Sequence, residues 1–384
     1  MRFDGRFSQK ENFWESTPLL RQRFFFMPDI MGKMDIAFPH LGIYLHNVPK
    51  TITIGNFTIA MYGIVMAISM LCGILMAAHM AKRTGQDPNL YWDVSIWLII
   101  FALIGARLYY VIFFWEQGGY AEHPLQIFNL RQGGLAVYGS IIGGIITLIV
   151  YCRIKKKKLL RMMDTAAYGM IIGQIIGRWA NFFNREVFGQ YTDSLFAMRL
   201  PVEMVRERDI DETIAAHMSS SVNYIQVHPT FLYESVLNIG VLILMLIQAR
   251  KKRYDGRITL TYFAGYGIVR GCIEYIRTDQ LYIPHTTIPV NLVVGFIVAV
   301  IAIIVMIVCD RLAKAGKISV TDFRAAAEAY AASAAKESVK AAQEENAEAT
   351  PQTDLGAEPK TDIAAKTDLI EEPAADKEPE NRSE

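Results

Sequence analysis

The sequence predicts an all-α, polytopic membrane protein of seven transmembrane helices with a small extracytoplasmic head domain. Three observations predict it. The 384 residues are 52% hydrophobic, with a mean hydropathy of +0.22 even though the stretch beyond Ser319 is strongly polar. Seven apolar segments approach the roughly 20 residues that a bilayer-spanning helix needs. Lys and Arg crowd every second junction between them.

The segments are 57–80, 92–114, 135–151, 163–179, 230–247, 258–276 and 288–308. The second, fourth and sixth carry polar groups: Asp93 and Arg107, Asp164 and Gln174, Arg270 and Glu274. Cytoplasmic loops hold the cations of a membrane protein. Here Lys82 and Arg83 follow the first span, Arg153, Lys155 to Lys158 and Arg161 the third, Arg250 to Arg253 and Arg257 the fifth, and Arg311, Lys314 and Lys317 the seventh. The loops 115–134 and 277–287 are nearly without them. The N-terminus is therefore expected outside and the C-terminus in the cytoplasm.

Residues 1–33 read as an N-terminal extension without a signal-peptide pattern, with a coherent beginning at Met34. The membrane domain is expected over 34–312, with a polar head loop at about 181–229. Residues 313–384, rich in Ala, Glu, Lys and Pro, read as a mostly disordered cytoplasmic tail that is helical over 320–340. Cys72, Cys152, Cys272 and Cys309 show no CxxC spacing and read as packing residues. No metal site or cofactor is expected. The net charge of +1 and short basic runs, explained by topology, leave no nucleic-acid reading.

Charges inside a membrane are costly and mark sites or pathways. In "RGCIEYIRTD", Arg270, Glu274 and Arg277 are spaced four and three apart, on one helical face. Either they form an internal ion pair between helices, or a carboxylate holds a guanidinium ready for an anion. Arg178 and Asn181 share a face at the outer end of the fourth span, at the same depth, and Arg107 in "GARLYYV" is a third guanidinium or a packing residue. Converging guanidiniums at the outer leaflet suit a lipid phosphate.

"RQGGLAVYGSIIGG" lacks the Gly-Lys-Ser/Thr ending of a phosphate loop. Its glycines serve close helix approach, or Gly133, Gly134, Gly139 and Tyr138 shape a cavity wall. "HPTFLYES" places His228, Tyr233 and Glu234 at the water boundary, where Glu234 needs a partner among the arginines. A secondary transporter is disfavoured because the chain has no matching halves. An intramembrane hydrolase needs a nucleophile with a base, and Ser140 has only the distant His228 to offer. The Asp-rich metal motif of alcohol phosphotransferases is absent.

These residues together resemble the prolipoprotein diacylglyceryl transferases of bacteria. The signature Gly-Arg-x-Gly/Ala-Asn-Phe-x-Asn-x-Glu-x-x-Gly is matched at Gly177, Arg178, Ala180, Asn181, Phe182, Asn184, Glu186 and Gly189. "FPHLGI", "IAMYGI" around Tyr62, "GARLYYV", "GGLAVYGSIIGG", "HPTFLYE" and "RGCIEYIRTD" follow in family order across about residues 34–312. The resemblance implies a seven-span enzyme that moves the diacylglyceryl group of phosphatidylglycerol to the lipobox cysteine of a preprolipoprotein, releasing glycerol 1-phosphate. It makes Arg178 and Arg270 the candidate catalytic residues. Tyr62, Arg107, Gly134, Tyr138, Asn181, Asn184, Glu186, Gly189 and Glu274 become the candidate substrate-binding residues. Some relatives carry a His where this chain has Tyr138, and a phenol with a pKa near ~10 is a poor base at neutral pH. The group that accepts the thiol proton is not identified by the sequence.

Overall fold

Seven long helices, α1 (Met61–Arg83), α2 (Asn89–Phe113), α3 (Val137–Ile154), α4 (Leu159–Asn184), α5 (Thr230–Ala249), α6 (Arg257–Ile276) and α7 (Val290–Lys314), occupy the seven apolar segments. Pro88, Pro229 and Pro289 stand immediately before α2, α5 and α7. A proline costs little there, because the first N–H groups of a helix have no intrahelical partner. The structure, a computed structural model, describes residues 34–116, 118–129, 133–218, 223–249 and 253–348. The expected N-terminal extension and the end of the expected tail, 349–384, lie outside these.

Helices α1, α2, α3, α5 and α7 are long and apolar enough to cross a membrane. Their outward faces carry exposed large hydrophobics such as Ile96, Ile145, Ile243 and Ile304, which suits contact with lipid rather than water. This is a membrane protein. Helices α4 and α6 are as long but less apolar, because α4 carries Arg161, Asp164 and Arg178 and α6 carries Arg257, Arg270 and Glu274.

Three of the helix pairs are set by glycine, α6 and α7 among them at Gly267 and Gly295. A Cβ on Gly73 of α1 would stand 2.8 Å from the Gly169 carbonyl oxygen of α4, and one on Gly169 would stand 2.6 Å from that of Gly73. The backbones of α2 and α3 meet as closely at Gly105 and Gly139. The α2–α3 pair joins the rest at its basic end, where Tyr91 and Val94 pack with Ala77, Ala81, Tyr151, Cys152 and Met162. Gly169→Leu is expected to lower the melting temperature in detergent by several degrees, because backbone, not a flexible side chain, must give way. Gly240→Ala, in open space on α5, is expected to leave it unchanged.

The described residues are mostly helical, and two short antiparallel sheets correct the all-α expectation. Strands β1 (Met34–Phe38), β2 (Ile43–His46), β5 (Met198–Pro201) and β6 (Tyr224–Val227) form one sheet in the order β2-β1-β5-β6. Strands β3 (Thr51–Ile54) and β4 (Phe57–Ala60) form a hairpin closed at Gly55, whose φ is +60°. The expected first span began at 57, but "TITIGNFTIA" alternates with period two about a Gly-Asn turn, and the helix starts only at Met61. Ile36, Met198, Leu200, Ile225 and Val227 point into one core with Phe182 at the end of α4 and Phe231 at the start of α5. That core seats the sheet on the helix ends bearing the candidate site.

The chain divides into two units between Ala334 and Ala335. Where the sequence suggests helix over 320–340, the structure has α8 (Phe323–Glu348), in which residues 335–343 are exposed.

Candidate active site

The signature loop is built by an unusual helix exit. Helix α4 ends with Arg185 in the left-handed region at φ 54°, and Val187 follows at φ 59°. A β-branched residue there is strained and persists only when its surroundings fix it. Several contacts do so. The Thr230 hydroxyl donates to the Val187 carbonyl, the Gly189 N–H to the His228 carbonyl at 2.9 Å, and the Gln190 N–H to the Ile276 carbonyl at 2.8 Å. A Cβ on Gly189 would lie 2.8 Å from both the His228 Cβ and the Ile276 carbonyl oxygen, so this glycine lets the loop pass between the ends of α5 and α6. Arg185 is buried and donates to the carbonyls of Phe183 and Val48 at 3.0 and 2.6 Å.

This exit turns Glu186 back onto its own helix. Asn181 and Asn184 both donate to Glu186 Oε1 at 3.2 Å, and Arg206 meets Oε2 at 2.6 Å. The signature's polar residues thus form a self-satisfied knot just beyond Arg178.

Arg178 points inward. Its Nη2 lies 2.6 Å from Glu234 Oε1 of α5 and 3.5 Å from the Tyr266 hydroxyl of α6. On the other side of Glu234, Oε2 is 4.0 Å from Arg270 Nη1, and Arg270 Nη2 is 2.8 Å from Glu274 Oε2. Glu274 also accepts from Asn291 Nδ2 of α7 at 3.0 Å and lies 3.8 Å from Arg277, which pairs with Asp279 at 2.7 Å. Burial pushes the Asp279 carboxyl up, but the Arg277 guanidinium outweighs it and holds the group below the usual carboxylate range. Both glutamate side chains are 1% exposed, those of Arg178 and Arg270 20% and 16%. Buried Arg270 Nη1 makes no hydrogen bond among the described residues. An ion network with an unfilled guanidinium donor beside a partly exposed arginine is suited to receive an anion's oxygens.

Tyr62, Arg178 and Asn181 line one end of a groove of about 560 Å³ between α1, α2 and α4. Asn181, Asn184 and Glu186 thus join at the end of α4 beyond Arg178, Tyr62 shares the groove with Arg178, and Glu274 pairs with Arg270, while Gly189 passes between the ends of α5 and α6. Arg107, Gly134 and Tyr138 belong to a different arrangement. Arg107 donates to the carbonyls of Gln126, Ile127, Gly133 and Gly134 at 2.6 to 3.1 Å, so its fork ties 126–127 to 133–134 just ahead of α3. Tyr138 is half exposed, its ring 6.3 Å from that of Tyr109.

Sequence reasoning missed Tyr262, Tyr266, Asn291 and Arg206. The two tyrosines had a signal: Tyr262, Tyr266, Arg270 and Glu274 follow at steps of four along one face of α6. Their rings stack at 5.7 Å, and Gln174 of α4 donates to the Tyr262 hydroxyl at 2.8 Å. Near the site, the His228 Nδ1 is 3.3 Å from the Tyr233 hydroxyl, and burial pushes its imidazole below the usual value, keeping it neutral at pH 7.

The profile of the family described as prolipoprotein diacylglyceryl transferase matches residues 49–308. A phosphatidylglycerol–prolipoprotein diacylglyceryl transferase of Clostridioides difficile is 39% identical over 251 residues, 65% of this chain and 92% of that protein. One of Nostoc sp. is 35% identical over 252 residues, 64% of this chain and 84% of its own length. A third, of Clostridium perfringens, is 35% identical over 270 residues, covering 67% and 94% respectively. With more than half its length matched by that profile, the chain belongs to the prolipoprotein diacylglyceryl transferase family, membrane enzymes of lipoprotein biosynthesis.

Proposed function

We propose that this protein transfers the sn-1,2-diacylglyceryl group of phosphatidylglycerol to the lipobox cysteine thiol of preprolipoproteins, the first step of their maturation. In this reading all seven helices span the bacterial plasma membrane, N-terminus outside and C-terminus in the cytoplasm. The sheet-bearing layer over 34–60 and 181–229 is the extracytoplasmic head, and the chain beyond 312 is the cytoplasmic tail.

The supporting observation is the meeting of Arg178 and Arg270, from different helices, on buried Glu234 with Arg270 Nη1 unfilled. The thiolate sulfur attacks the glyceryl carbon that bears the phosphate. A C–S bond forms, the C–O bond to phosphate breaks, and glycerol 1-phosphate leaves with the electron pair. The thiol proton passes to water or to the leaving phosphate. Negative charge grows on the phosphate as the bond breaks, and preorganised guanidiniums stabilise it there more than in the bound lipid. Arg178 and Arg270 fill that role. Tyr62 and Asn181 orient the phosphoglycerol from the groove's rim, and the Asn184–Glu186 knot and Gly189 fix the helix exit that aims Arg178. Glu274 aims Arg270. Arg107 and Gly134 shape the loop leading to Tyr138, which contributes a phenol donor rather than a base.

Purified protein given phosphatidylglycerol and a lipobox peptide is expected to add one diacylglyceryl mass to the peptide. The same peptide with serine for cysteine is expected to gain nothing. A folded preparation that leaves the cysteine peptide unchanged would overturn the proposal.

A further inference from the structure

The groove between α1, α2 and α4 reaches far beyond the charged end that Arg178, Asn181 and Tyr62 share. From Gly177 at the charged end to Ala166 at the other is eleven residues of α4, roughly 16 Å at the helical rise. That is about half of a ~30 Å hydrocarbon core, the depth of one leaflet. The groove is floored by Tyr91, whose hydroxyl donates to Gln86 Oε1 at 2.8 Å while Gln86 Nε2 donates to Thr165 at 2.7 Å. Half-exposed Met170 on its rim opens it sideways toward lipid. Its two glycine types differ: Gly73 and Gly169 press backbone to backbone, whereas a Cβ on Gly173 would meet nothing closer than the Ser69 carbonyl at 3.7 Å.

We propose that this groove holds one acyl chain of the lipid donor, with its terminal methyl at Ala166 and Tyr91, and that Gly173 and this floor determine the chain length accepted. The inference rests on the transferase reading for the donor's identity. Three observations favour a lipid chain as occupant: the guanidinium at one end, the one-leaflet length, and the side opening toward lipid. Gly173 leaves the bore clear midway. A larger side chain there shortens it and stands beside Ser69 of α1, away from the Gly73–Gly169 backbone contact.

The test offers wild-type protein and Gly173→Leu an equal mixture of short-chain and long-chain phosphatidylglycerol with a lipobox peptide, and weighs the products. Gly173→Leu is expected to shift the product ratio toward the short chain by roughly ten-fold, as exclusion of about two buried methylenes would. Ala166→Phe is expected to shift it in the same direction. Gly240→Leu, in open space on α5, leaves the ratio as in wild type. A second measurement identifies the lipids that co-purify with each variant, without any peptide. If Gly173→Leu and Ala166→Phe melt and elute as wild type and both ratios stay unchanged, the groove is not the chain site. If wild type makes no product, the transferase reading falls, and the co-purified chain lengths still decide the groove.

Discussion

Arg270→Ala is expected to lower kcat for diacylglyceryl transfer by about 10²–10³-fold, the loss typical of removing a preorganised donor to developing negative charge. Arg270 Nη2 is engaged by Glu274 at 2.8 Å, which aims the guanidinium, while Nη1 has no hydrogen bond of its own. A lysine supplies one point charge and no fork. Arg270→Lys should therefore fold with near wild-type stability and yet recover little activity. Steady-state rates with lipobox peptide, beside a thermal melt of each variant, separate this outcome from simple unfolding. Equal activity in Arg270→Lys and wild type would show that only net charge is needed.

Glu234→Ala is expected to cost about 3–5 kcal/mol of stability, because removing one partner of a buried ion pair leaves the other uncompensated. Its two oxygens lie 2.6 Å from Arg178 and 4.0 Å from Arg270, so a single carboxylate sets the spacing of both cations. Glu234 is a positioning residue. Glu234→Gln keeps the shape but not the charge, and should fold better than Glu234→Ala while losing most of its kcat. A merely structural carboxylate would show full activity in whatever fraction of Glu234→Gln remains folded.

The helices were legible because apolar runs and prolines mark them directly. The run at 57–60 misled, since four residues of alternating apolar character read as the lip of a span when they pair with 51–54. The four-stranded sheet was illegible for a related reason: its strands are four or five residues long and drawn from segments far apart in sequence, with β1 joined to β5 through Ala37 and Arg199. Depth along the membrane was readable and brought Arg178 and Arg270 to one level. Direction around each helix was not. Arg107 instead spends its fork on the carbonyls of Gln126, Ile127, Gly133 and Gly134. Tyr266 and Asn291 reach the site only because α6 and α7 pack where they do, although the four-residue stripe on α6 pointed to the tyrosine.

The most direct measurement of the central claim counts glycerol phosphate against thioether. Phosphatidylglycerol labelled in its head group is incubated with wild-type protein and lipobox peptide, and both products are quantified over the same time course. One glycerol phosphate per diacylglyceryl-peptide, with both lost together in Arg178→Ala, is the result predicted by guanidiniums that hold a leaving phosphate. Thioether formed without glycerol phosphate, or unimpaired release in Arg178→Ala, would contradict it.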